Sequence, residues 1–200
     1  MVAQPLLGQA KVKFQFTSGG SVSYNGVRVG PYEAQAVSLP GQPAMDIYCV
    51  DFLHAIKGGQ VWDANVSTLS GDLGSTRFGN AFRVQYQKAA WLSMQFANTS
   101  HAQWGGLHSA IWNLMTPGSP SWATSQQSYW LSLADANYQS VDLSQWSVIT
   151  DVNAAGMVGG VQEFITPNVV TPEPFTMALV GSGLLGIGVF NRRRRSKLDG

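Results

Sequence analysis

Residues 175–190 limit what this chain can become more than any other stretch. The run from Phe175 to Phe190 carries no charged side chain. As an α-helix rising about 1.5 Å per residue it spans roughly 24 Å, a little short of a hydrocarbon core of about 30 Å. Thr176 and Ser182 are its only hydroxyl residues, too few to give a helix a solvent face. It therefore reads as a single C-terminal transmembrane helix. Arg192, Arg193, Arg194 and Arg195 follow it; basic residues beside a span stay in the cytoplasm, and their stems can snorkel to make up for a short helix. The residues ahead of the run are then expected on the far side of the membrane. Met1 to Ala10 holds neither the basic start nor the apolar stretch of an export signal, so that signal is expected to be missing or already removed.

Pro172, Glu173 and Pro174 stand directly before the span. This order of a Pro-Glu-Pro motif, a short Gly/Leu-rich span and an arginine cluster at the chain's end resembles the PEP-CTERM sorting signal of bacteria that make extracellular polysaccharide. The resemblance covers about residues 172–195. It implies recognition and cleavage by an exosortase, a membrane-bound cysteine transpeptidase-like enzyme. It also implies an exported protein, held at the inner membrane with its domain outside the cytoplasm and then passed to the cell surface or beyond. The chain divides accordingly into a globular domain at 1–168, a linker at 169–172 and the sorting signal at 173–195.

The globular part is long enough for one domain with a real core. Charged residues make up only 12% of the chain, and setting the arginine cluster aside leaves eight basic side chains against eleven acidic ones. No basic face exists for nucleic acid. The lone cysteine, Cys49, excludes an internal disulfide.

Periodicity divides this part into strands, helices and strands again. Lys11 to Thr17 alternates as a half-buried strand. Asn25-Gly26 marks a hairpin within residues 21–29. Further strands are predicted at 32–38, 45–53 and 60–66, and a polar, Gly-rich loop at 68–82. Helices are predicted at 82–97 and 104–115. A third is expected from Ser119-Pro120, an N-cap followed by a proline at the first helical position, to Asn137. Strands return at 146–152 and 161–165. The pattern predicts an α+β fold, a β-rich sandwich or barrel-like domain with a helical insert.

Two segments carry the candidate chemistry. They are Tyr48-Cys49-Val50-Asp51 on a strand and Leu107-His108-Ser109-Ala110-Ile111-Trp112 on a helix. Together with Val29-Gly30-Pro31-Tyr32 and Tyr86-Gln87-Lys88-Ala89-Ala90-Trp91, they resemble the thioester domains of surface adhesins, over roughly residues 22–115. In that family a Tyr-Cys-(Ile/Val)-Asp strand faces a Thr-Gln-x-Ala-Ile-Trp helix, and the Cys thiol condenses with the Gln carboxamide to a thioester that captures amines. Here Cys49 matches the thiol, but Leu107 and His108 stand where Thr and Gln belong. An imidazole has no acyl carbon, and Gln103 lies on another helix face. The scaffold is therefore expected without the bond, in a non-enzymatic protein with an adhesive or structural role and extracellular polysaccharide or surface proteins as partners.

Two other readings compete. A Cys49–His108 pair could make a nucleophile for a hydrolase or transferase, with Asp51 as an orienting group on the face of Cys49. A glycan-binding module could use Trp62, Trp104, Trp122 and Trp146 as platforms, while Trp91, Trp112 and Trp130 read as core. Cys49, Asp51, His54, His101 and His108 match no zinc spacing, so no metal and no cofactor are expected.

Overall fold

The computed structural model describes residues 10–120, 122, 125–154 and 159–167. They belong to the first of two compact units, Met1–Val169 and Val170–Gly200. Six strands close into an antiparallel barrel in the order β1 (Ala10–Ser18), β4 (Tyr32–Gln35), β5 (Ala44–Cys49), β8 (Phe164–Pro167), β7 (Trp146–Asp151) and β6 (Val61–Thr68), which returns to β1. A two-stranded hairpin, β2 (Val22–Tyr24) and β3 (Val27–Val29), interrupts the barrel between β1 and β4. Its turn is Asn25-Gly26, both at positive φ, as a two-residue hairpin loop demands.

Alternation fixes which side chains fill the barrel. On β1, Val12, Phe14 and Phe16 are buried while Lys11, Lys13 and Thr17 face solvent. Phe14 stacks on Trp62 at 5.5 Å, Trp62 packs on Phe164 at 6.0 Å, and Phe164 lies 6.4 Å from Phe16. The far half of the barrel is covered on its outer face as well, so β7 is buried along its whole length and reads Trp-Ser-Val-Ile-Thr-Asp with little alternation. Ile149 and Phe164 point into the barrel, whereas Val148 and Ile165 join a second core beneath the helices.

That second core is formed by α1 (Arg83–Gln95), α2 (His101–Met115) and α3 (Ser125–Asn137), inserted between β6 and β7. Every residue from Gly105 to Trp112 is buried, the mark of a helix enclosed on all sides. Gly105 permits this, because a Cβ there would stand 2.3 Å from the ring of Tyr24 on the hairpin.

The α+β architecture expected from sequence is present in its barrel form. Two helix starts differ: α2 begins at His101 rather than at residue 104, and the third helix begins later than expected. Ser119 does not cap a helix; its N–H closes a turn on the Thr116 carbonyl at the end of α2, and α3 starts at Ser125. The span expected at 175–190 lies outside the described residues, as do Pro172, Glu173, Pro174 and Arg192–Arg195. Among the described residues no helix is long and apolar enough to cross a membrane.

Candidate functional site

Cys49 is the last residue of β5 and points into the barrel, wholly buried. Its thiol donates to the Asp51 carbonyl at 3.2 Å, and its sulfur accepts the indole N–H of Trp112 at 3.4 Å. Burial pushes the thiol up to about 12, opposed chiefly by the Trp112 indole N–H that the sulfur accepts. Such a sulfur is protonated at neutral pH and a poor nucleophile.

His108 is brought to Cys49 by α2, yet it does not meet the sulfur. Its Nδ1 accepts the backbone N–H of Gly30 at 3.0 Å. A backbone N–H can only donate, so the ring proton sits on Nε2, which donates to the Cys49 carbonyl at 2.9 Å. Both nitrogens are thus committed to backbone. The ring stacks on Trp112, one helical turn on, at 4.2 Å, and lies 5.8 Å from Tyr32. Burial holds the imidazole down to about 4. His108 works as a neutral cross-link between β5, α2 and the chain at Gly30. That last position is itself forced, with φ at 106° and the Trp104 ring 2.4 Å from any Cβ placed there.

Asp51 does not orient His108. The chain has left β5 by then, and the carboxylate turns to a different pair: Nδ1 of His54 at 2.7 Å and Nε of Arg77 at 3.0 Å. Gln103 is exposed at the start of α2, whereas Cys49 is buried. His101 is exposed too and packs on Trp104 at 4.2 Å. The five residues weighed as metal ligands therefore separate into a Cys49–His108 contact, an Asp51–His54 pair and an outlying His101. Of the four tryptophans considered as sugar platforms, Trp62 and Trp146 are buried. Trp104 and Trp122 are half-buried.

Sequence reasoning missed a buried polar network beside this site. Glu163 accepts from the Arg77 backbone N–H at 2.6 Å, the Thr150 hydroxyl at 2.6 Å and the Tyr86 hydroxyl at 2.5 Å. Arg77, itself enclosed, donates to the Gly159 and Val161 carbonyls at 2.9 Å each. Burial raises the Glu163 carboxyl to about 7, opposed by the three donors and by Arg77. The available signal was a carboxylate inside the apolar segment Val161-Gln162-Glu163-Phe164-Ile165 of a chain that is otherwise sparing with charge.

A cleft of about 320 Å³ opens next to Cys49. Trp112 is shared by both, since its indole N–H reaches the sulfur and its ring lines the cleft.

The comparisons with known proteins agree with this anatomy. Residues 170–195 match the PEP-CTERM protein-sorting motif, which marks the chain for export, surface sorting and processing by an exosortase-type enzyme. The described domain is similar to the N-terminal thioester domain of a surface protein from Clostridium perfringens, with a TM-score of 0.50 at 10% identity, covering 80% of this chain and 99% of that one. At that identity the likeness concerns the fold. No curated protein matches the chain in sequence.

Proposed function

We propose that this protein is a non-enzymatic surface module that keeps the thioester-domain scaffold without its covalent bond. In this reading it serves adhesion or the build of an extracellular polymer layer. Residues 175–190 form the transmembrane helix that holds it at the inner membrane, Arg192–Arg195 keep that end in the cytoplasm, and cleavage near Pro172-Glu173-Pro174 releases the domain outward.

The observation that carries this reading is the state of His108. It occupies the position where the resemblance calls for an acyl donor, and both of its nitrogens bind backbone atoms. It can neither acylate Cys49 nor take its proton without breaking the junction it holds. That weighs against the cysteine-dependent enzyme reading as well. Intact-mass spectrometry of the folded domain tests the point. The expected mass is that of the sequence, unchanged by methylamine; a mass lower by one ammonia that then rises by the mass of one methylamine, as the thiol is freed and an N-methylamide forms, would mean that a thioester forms after all. Labelling with a thiol reagent tests the enzyme alternative. Cys49 is expected to react only on unfolding, and rapid labelling of the native domain near pH 7 would restore a nucleophilic role.

A further inference from the structure

The cleft beside Cys49 has a composition that selects its occupant. Its apolar wall comes from Phe16, Tyr32, Phe52, Ile56 and Trp112, with Val27 at the hairpin. Its volume of about 320 Å³ falls at the small end of ligand pockets, enough for one compact apolar group. Trp112, Phe16 and Tyr32 are almost wholly buried. They present edges and small areas of face, not the flat exposed platform on which a hydrated sugar stacks.

Polar groups in the described wall are few. Arg28 lines the cleft from β3, exposed, with one guanidinium N–H donating to the Ser21 carbonyl at 3.3 Å. His54 lines it from the loop after β5. Gln162 donates to the Asp51 carbonyl at 3.5 Å from the same wall. None of the described lining residues is acidic. The nearest buried carboxylate, Asp51, is already shared between His54 and Arg77. With both His54 nitrogens engaged by Asp51 and Arg77, Arg28 is the fixed positive charge of the described lining.

We propose that this cleft is a binding site for a ligand with a compact apolar body and a carboxylate at one end. The body fills the space against Trp112, Phe52 and Ile56, and the carboxylate meets the Arg28 guanidinium, which suits it in shape and charge. Two sources share this chemistry, a small free carboxylic acid and the C-terminus of a chain ending in an apolar residue. The inference is independent of whether Cys49 forms a covalent bond.

The test is titration of the folded domain with 3-phenylpropionate, followed by tryptophan fluorescence and calorimetry. Binding with a Kd below about 1 mM is expected, and the neutral 3-phenylpropionamide should bind at least about tenfold more weakly. Arg28→Gln, at an exposed position of β3, should bring the acid down to the amide's level. Ile56→Trp should fill the cleft and abolish binding of both, and an unchanged melting temperature will certify the fold of each variant. A tetrapeptide ending in free phenylalanine, compared with its C-terminal amide, distinguishes the sources. Tighter binding than 3-phenylpropionate points to a chain end, and weaker binding to a free acid. The proposal is overturned if acid and amide bind alike, if Arg28→Gln leaves acid binding intact, or if the native domain binds no acid up to about 10 mM.

Discussion

At the scale of single residues, the domain turns on one imidazole. His108 satisfies two backbone groups from distant parts of the chain, and its removal orphans both. His108→Ala is expected to cost about 3–5 kcal/mol, combining the lost ring volume with a buried N–H and carbonyl left unpaired. His108→Gln, which can offer one acceptor and one donor, should recover part of that loss. Chemical denaturation of the two variants checks the order. Cys49→Ala should cost less, about 1–2 kcal/mol, because a small buried thiol behaves largely as an apolar filler. That Cys49 lies on an apolar strand and His108 on a helix was legible in the sequence, while whether the two meet was left open. The bonding of His108 was not, because its partner at Gly30 lies 78 residues away and no local pattern encodes which ring nitrogen it will meet.

Among elements, α2 and the β2–β3 hairpin pack so closely at Gly105 that no side chain fits between them. Gly105→Ala would press a methyl group into the Tyr24 ring, with an expected cost of about 1–3 kcal/mol. Tyr24→Ala should relieve most of that clash, so the double variant will be less unstable than the two single losses added together. Denaturation midpoints of the three variants measure this coupling. Most strands and two helices followed from periodicity, since β1 alternates cleanly and the turn at Asn25-Gly26 has a conformation few other residue pairs adopt. The start of α3 did not, because a serine before a proline looks like a helix cap whether or not its N–H is already closing the preceding turn. Barrel closure was equally hidden. It depends on β1 pairing with both β4 and β6, and alternation identifies a strand's inner face without naming its neighbours.

Across the whole molecule, two buried groups make opposite demands on pH. Glu163 is raised from 4.5 to about 7 in the fold, so between those values the folded state keeps a proton that the unfolded chain releases. Its contribution is complete below about pH 4.5 and is lost as pH rises through 7. His108 is lowered from 6.5 to about 4; here the unfolded chain takes up the proton first. Its contribution is complete above about pH 6.5 and is lost on acidification through 4. From about pH 4.5 to 6.5 the two trends oppose each other. Glu163→Gln should therefore make the domain lose stability more steeply on acidification than the wild type. His108→Gln should tilt the profile the other way, toward loss as pH rises from 5 to 7. Melting temperatures taken across pH 4.5–7.5 read the difference, expected at about 4 °C or more between the two variants at either end. Parallel profiles would refute it.

The closed ring of six strands also governs how such domains can crowd together. A sheet with a free margin invites a neighbour to add its own strand, and secreted proteins at high local density are the most exposed to that hazard. Here each barrel strand already has a partner on both sides. Copies massed at a cell surface cannot knit into a shared sheet through the barrel. Among the described elements a free strand margin remains at the β2–β3 hairpin, so backbone pairing between copies is directed there, and other attachment falls to side chains of the helices and the cleft.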